Sequence, residues 1–206
     1  VLRGVGGERG GTHRCEQDCE HDDDRGGPLH PASVSARWQK RIRTQSVLRG
    51  DTRHSSMLEP GDDAPAFALD NHAGESVALP TEGTVVVYFY PRADTPGCTT
   101  EACSFRDAWN EYESRGIDVF GVSDNPVEDL AAFRAEHSLT VELLSDPDGA
   151  VASAYDSYGE KNVFGDTVEG TFRNTYVVRD GTVVLAYEGV DPEDHADELL
   201  ADIDSL

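Results

Sequence analysis

The residues best suited to chemistry in this 206-residue chain lie in one run, Phe89-Tyr90-Pro91-Arg92-Ala93-Asp94-Thr95-Pro96-Gly97-Cys98-Thr99-Thr100-Glu101-Ala102-Cys103. Ahead of it, Thr84 to Tyr90 is β-branched and aromatic and reads as a fully buried strand. Behind it, Ser104 to Ser114 has helical spacing and no Gly or Pro. The strand therefore turns sharply, and a helix begins with a thiol in its first turn. The first N–H groups of a helix have no partner inside it, and that end carries about half a positive charge. A thiol placed there is driven toward thiolate, the form that acts as a nucleophile. Pro96 and Gly97 let the backbone pass close to whatever approaches the sulfur. Thr95 can aim its hydroxyl into the same pocket. The plainer alternative for Cys98 is a small buried hydrophobe. Position, turn chemistry and the second cysteine, Cys103, favour a reactive thiol.

These residues resemble a known family. Pro91-x-x-x-Thr95-x-x-Cys98 is similar to the peroxidatic signature of peroxiredoxins. The fuller stretch Asp94 to Cys103 resembles the bacterioferritin-comigratory-protein (PrxQ) branch, whose resolving cysteine lies five residues downstream. The resemblance spans residues 57–206. It implies that Cys98 attacks a hydroperoxide, becomes a sulfenic acid and condenses with Cys103. It further implies a thioredoxin-like reductant, no metal or other cofactor, and a monomer. Thr171-Phe172-Arg173-Asn174-Thr175-Tyr176-Val177-Val178 resembles the family's arginine before a central strand. Arg173 would then attract the thiolate and donate to the peroxide oxygens, although a surface ion pair is the default for an arginine in so acidic a chain. Glu101 matches a family position too, expected to cap the turn or orient Arg173.

The order of elements predicts the fold class. Phe67 to Leu69 and Ser76 to Leu79 flank Asp70-Asn71-His72-Ala73-Gly74 as an N-terminal hairpin. Next come strand 84–90, a helix from 98 to 114 and strand 117–123. Asn125 is expected to cap a helix that starts at Pro126 and ends at Glu136. Strand 141–144, a turn at Asp146-Pro147-Asp148-Gly149 and a short helix 150–155 follow. Strands 174–178 and 182–187 join through Arg179-Asp180-Gly181, a hairpin signal, and a helix 193–203 closes the chain. This is an α/β pattern, a mixed central sheet flanked by helices. It is similar to the thioredoxin-like fold of peroxiredoxins.

Composition divides the chain near residue 57. Residues 1–56 hold ten Lys/Arg and eight Asp/Glu, with eight residues of the Leu, Ile, Val and Phe types, too few for a packed core. They read as a disordered tail, or as an extension created by a misplaced start, because Met57 is the sole methionine. Cys15 and Cys19 with His13 and His21 are zinc-type ligands, but the C-x₃-C spacing matches no strong zinc pattern. Arg37 to Arg43 reads as a solvated basic run.

Residues 57–206 are enough for one domain, with Cys98 and Cys103 as its two cysteines. In a reducing compartment such a pair is catalytic or metal-binding more often than structural, and no second pair completes a Cys₄ site. The domain carries seven Lys/Arg, including one lysine, against thirty-two Asp/Glu. That charge repels nucleic acid and anionic membranes. It suits a halophile, whose internal salt screens the repulsion. The chain shows no apolar segment of membrane-spanning length and no signal peptide, so a cytoplasmic location is expected. Neither a P-loop nor G-x-G-x-x-G follows any strand. The alternatives to a peroxidase are a thiol–disulfide oxidoreductase, which normally shows C-x-x-C, and a non-enzymatic thioredoxin-like binding module.

Overall fold

A computed structural model describes residues 57–163 and 166–206. The expectations for residues 1–56, including the Cys15/Cys19 pair, lie outside the described residues.

The centre of the domain is β3 (Thr84–Phe89), buried on both faces as its unbroken apolar run requires. Its side chains alternate. Val86 and Tyr88 point into one core with Phe105, Tyr112, Leu130, Phe133, Leu199 and Ile203, while Val85, Val87 and Phe89 point into a second with Tyr155 and Tyr176. Each such large side chain contributes about 1.5–3 kcal/mol through burial. β3 runs parallel to β4 (Ile117–Ser123) and antiparallel to β8 (Asn174–Arg179). β4 in turn runs parallel to β5 (Glu142–Ser145), and β8 pairs antiparallel with β9 (Thr182–Glu188). On the far edge, β1 (Ala68–Asn71) lies antiparallel to both β5 and β2 (Ser76–Ala78). The seven-stranded order is β2-β1-β5-β4-β3-β8-β9, a mixed sheet.

Helices cover it. α1 (Pro96–Asp107), α2 (Trp109–Ser114), α3 (Val127–Glu136) and α5 (His195–Ile203) bury their apolar residues in the first core, and α4 (Ala150–Ala154) supplies Ala152 to the second. The single helix expected over 98–114 is two, broken at Ala108, whose φ of −84° and ψ of 0° leave the helical region. α3 starts at Val127 with Pro126 as its cap, not Asn125. A separate ribbon, β6 (Tyr158–Val163) with β7 (Asp166–Thr171), was not expected at all. Its strands read YGEKNV and DTVEGT, with too few apolar residues to give a strand signal.

The pairing register places the site. Tyr88 near the end of β3 faces Thr175 near the start of β8, so the residue before β8, Arg173, comes to the end of β3 from which the chain continues to α1. Packing behind this junction is tight. A Cβ on Gly121 of β4 would stand 2.5 Å from the Tyr88 ring, which is buried and stacked on Phe105 with centroids 4.7 Å apart. Gly121→Ala is therefore expected to destabilise the fold by about 1–3 kcal/mol. Urea melts check this, and an unchanged midpoint would show that the Tyr88 stack yields.

Candidate active site

Cys98 is the third residue of α1, with Thr95 as N-cap and Pro96 first in the helix. Proline suits that place, since its fixed φ is helical and its missing N–H would have found no partner. The first intrahelical bond in this turn runs from Thr99 N to Thr95 O at 2.8 Å. The N–H groups of Gly97 and Cys98 precede it and have no partner within the helix. Ahead of the cap, Asp94 takes a left-handed φ of 58°, reversing the chain. Asn125 fixes that reversal. Its buried Oδ1 accepts a hydrogen bond from Ala93 N at 2.9 Å, and its own carbonyl accepts one from Ser145 Oγ at 2.7 Å. The residue expected to cap α3 instead ties the loop before Cys98 to the end of β4.

Cys98 is buried, 2% exposed, and carries a free thiol. Arg173 Nη2 donates to its Sγ at 3.2 Å, while Nη1 bonds the carboxyl of Glu101. Two backbone bonds hold the arginine, from Gly189 N and Val190 N to its carbonyl. Gly97 makes room for it, since a Cβ there would come within 3.2 Å of Nη2. Glu101 stands one turn after Cys98 and is fully buried, with Oε1 unpaired among the described residues. Burial pushes its carboxyl up to about 7, and the guanidinium offsets only part of that rise. Arg173 is itself raised, held charged by Glu101 and Cys98 against its own burial. The two shifts are compatible: the arginine stays cationic, and the glutamate titrates near neutrality.

Of the residues predicted from sequence, Cys98 and Arg173 meet directly. Thr95 lies at the site, but its hydroxyl donates to Arg92 O at 3.0 Å, so toward a substrate it offers lone pairs. Cys103 follows on the same helix, 2% exposed, in the first core. Sequence reading missed Tyr88 and Tyr90, buried phenols whose pKa is raised by burial and by charges that include Cys98. Their signal was present: they are the same-face residues at the end of the strand that leads into the motif. A surface cleft of about 420 Å³ between β1, the start of α3 and Pro147 does not include Cys98. Asp94, Glu136 and His137 bring ligand atoms within 4.8 Å of one another, but the two carboxylates are exposed.

A thiol at a helix start, shared guanidinium and mixed sheet together define a cysteine-based redox enzyme. The comparisons name its kind. Residues 60–186 match the AhpC/TSA family. A Mycobacterium tuberculosis relative that carries the peroxiredoxin name is 45% identical over 152 residues, 72% of this chain and 97% of the relative. Peroxiredoxin Bcp of Escherichia coli is 38% identical over 146 residues, 69% of this chain and 94% of its own length. Among solved structures, the bacterioferritin comigratory protein of Xanthomonas campestris is similar, with a TM-score of 0.64 and 34% identity over 68% of this chain and 90% of that one. Its alkyl peroxide reduction has been followed in trapped intermediate and ligand complexes. The chain belongs to the AhpC/TSA family as a peroxiredoxin of the Bcp/PrxQ type, a thiol-dependent peroxidase with a thioredoxin-like fold.

The Glu101 shift makes stability depend on pH. The folded-state value lies above the ordinary 4.5, so the stabilisation is fully present below about pH 4.5 and is lost as pH rises through about 7. Glu101→Gln removes the titration and keeps the side-chain shape. From about pH 5 to 8, wild type should lose on the order of 2–3 kcal/mol relative to Glu101→Gln in denaturant melts. Parallel curves for the two proteins would overturn the assignment.

Proposed function

We propose that Cys98 reduces hydrogen peroxide and organic hydroperoxides, that Cys103 resolves its sulfenic acid, and that a thioredoxin-type dithiol restores both. The observation that carries this reading is the 3.2 Å bond from Arg173 Nη2 to Cys98 Sγ at the start of α1. A guanidinium at that range favours negative charge on sulfur and brings further N–H donors to an incoming oxygen. The Cys98 thiolate attacks one peroxide oxygen; an S–O bond forms and the O–O bond breaks. Sulfur is oxidised by two electrons, and the leaving oxygen departs as an alcohol or water after taking a proton. Arg173 and the N–H groups of Gly97 and Cys98 stabilise the charge that grows on that oxygen. Thr95 Oγ1, its own proton given to Arg92 O, can accept the hydroxyl of the peroxide.

The sulfenic acid then loses water with Cys103, which this step requires in its reduced form, to give a disulfide, and a dithiol reductant opens it by exchange. This step is incompatible with α1 as it stands. Five residues of helix separate the two Cα atoms by about 9 Å, and a disulfide needs them within about 7 Å. The helix must therefore unwind between Cys98 and Cys103 in each cycle. Cys98→Ser should lower peroxide consumption about a thousandfold or more. Cys103→Ser should accumulate forms with oxygen added to Cys98 rather than an internal disulfide, read by intact mass after a peroxide titration. Amide exchange should show residues 98–103 loosened in the oxidised wild type. Retained turnover in Cys98→Ser would overturn the assignment of the nucleophile, and equal protection in both redox states would remove the unwinding step.

The setting follows from charge and surface. Exposed large apolar side chains among the described residues are Val168 and Leu206, which fits a monomer. No helix among the described residues is long and apolar enough to cross a membrane, and a cytoplasmic location agrees with the use of a reducing dithiol. Thirty-two carboxylates against seven cations in residues 57–206 fit a salt-rich interior. The melting temperature should rise between about 0.1 and 3 M KCl, over which range the Debye length falls below about 3 Å. A flat or falling curve would refute halophily.

A further inference from the structure

Seven cations serve residues 57–206, and one of them is a lysine, Lys161 on β6. Arg106, Arg115 and Arg173 each sit on a carboxylate: Asp107; Glu111 and Asp204; and Glu101. Lys161 does not. Its Nζ donates to the carbonyl of Thr171 at 2.6 Å, which leaves two ammonium protons for other acceptors. The stem lies across Gly170 of the paired strand, where a Cβ would come within 2.9 Å of Cε and 3.0 Å of Nζ. That glycine lets the chain fold flat, back toward Thr171, two residues before the arginine on the reactive sulfur. There the ammonium is half-buried, and its charge interacts with Asp124, Cys98 and Arg173. Burial lowers its pKa, and the negative charges of Asp124 and Cys98 act against that fall.

We propose that Lys161 is an anion anchor beside the Cys98 site and selects hydroperoxides that carry a carboxylate. The surface around it is strongly acidic and repels anions, so the approach of a hydroperoxy acid depends on the cations near the sulfur. Arg173 is engaged by Cys98 and Glu101, and Lys161, held two residues from it at Thr171 O, can receive a carboxylate attached to the peroxide. A half-buried ammonium with a neutral partner gains more from such an anion than an exposed, already paired one. In this proposal Arg173 serves the reacting oxygens and Lys161 the rest of the substrate.

The inference rests on the peroxidase reading, and its test separates the two. The probes are a tert-alkyl hydroperoxide bearing a terminal carboxylate, its methyl ester, and hydrogen peroxide. The readout is the ratio of kcat/KM for acid over ester. Lys161→Gln should lower that ratio about tenfold, the scale of one charge-assisted contact at a half-buried site, while Lys161→Arg should keep most of it. A ratio unchanged in Lys161→Gln overturns the anchor. So does an equal loss on both probes with a shifted pH profile of Cys98 alkylation, which would mean that Lys161 acts through the thiol. Absence of hydrogen peroxide turnover in wild type would instead overturn the peroxidase reading itself.

Discussion

One guanidinium stands between two acids, and the geometry of the site follows from that sharing. Arg173 gives one nitrogen to Cys98 Sγ and another to the Glu101 carboxyl, and both acids are buried one turn apart on the same face of α1. A single buried cation cannot neutralise two full anions. Burial resolves the competition by raising Glu101 toward neutrality, so near neutral pH the arginine's charge is available to sulfur. The rest of the domain holds these three groups in register. β8 carries Arg173 to the end of β3, the Gly189 and Val190 N–H groups hold its backbone, and Gly97 leaves space for the guanidinium.

What was legible in the sequence was whatever local pattern encodes. The β-branched run of β3, the Pro96–Gly97–Cys98 turn and the Asp180–Gly181 hairpin each carry their own signal, and each stands where it was read. Arg173 was found through the resemblance of residues 171–178 to the family's arginine before a central strand, and its meeting with Cys98 needed the antiparallel pairing of β3 with β8. Asn125 shows the opposite. Asn before Pro reads as a helix cap, but the better partner for its Oδ1 is the Ala93 N–H, thirty-two residues away in sequence and adjacent only in the fold. Tertiary hydrogen bonding overrode a local preference. The β6–β7 ribbon was missed because backbone pairing defines it while its sequence is polar, and the bond from Lys161 to Thr171 O, two residues before Arg173, was invisible for the same reason.

The construction of α1 suits the unwinding proposed for it. While it is intact, its first turn presents unpaired N–H groups and Arg173 reaches the sulfur. Yet residues 98–103 are poor material for a permanent helix. Thr99 and Thr100 are β-branched, and the hydroxyls of Thr100 and Ser104 bond back to the carbonyls of Pro96 and Glu101, a habit that weakens and bends helices. The helix stops at Ala108 instead of running on into α2, so an opening near Cys98 need not propagate. Glu101 adds to the bias. Folded, it keeps Oε1 buried and unpaired; unwound, that oxygen reaches water and the burial penalty disappears. On the proposed mechanism, the carboxyl that holds Arg173 beside the sulfur would thus also favour the unwinding that resolution by Cys103 requires.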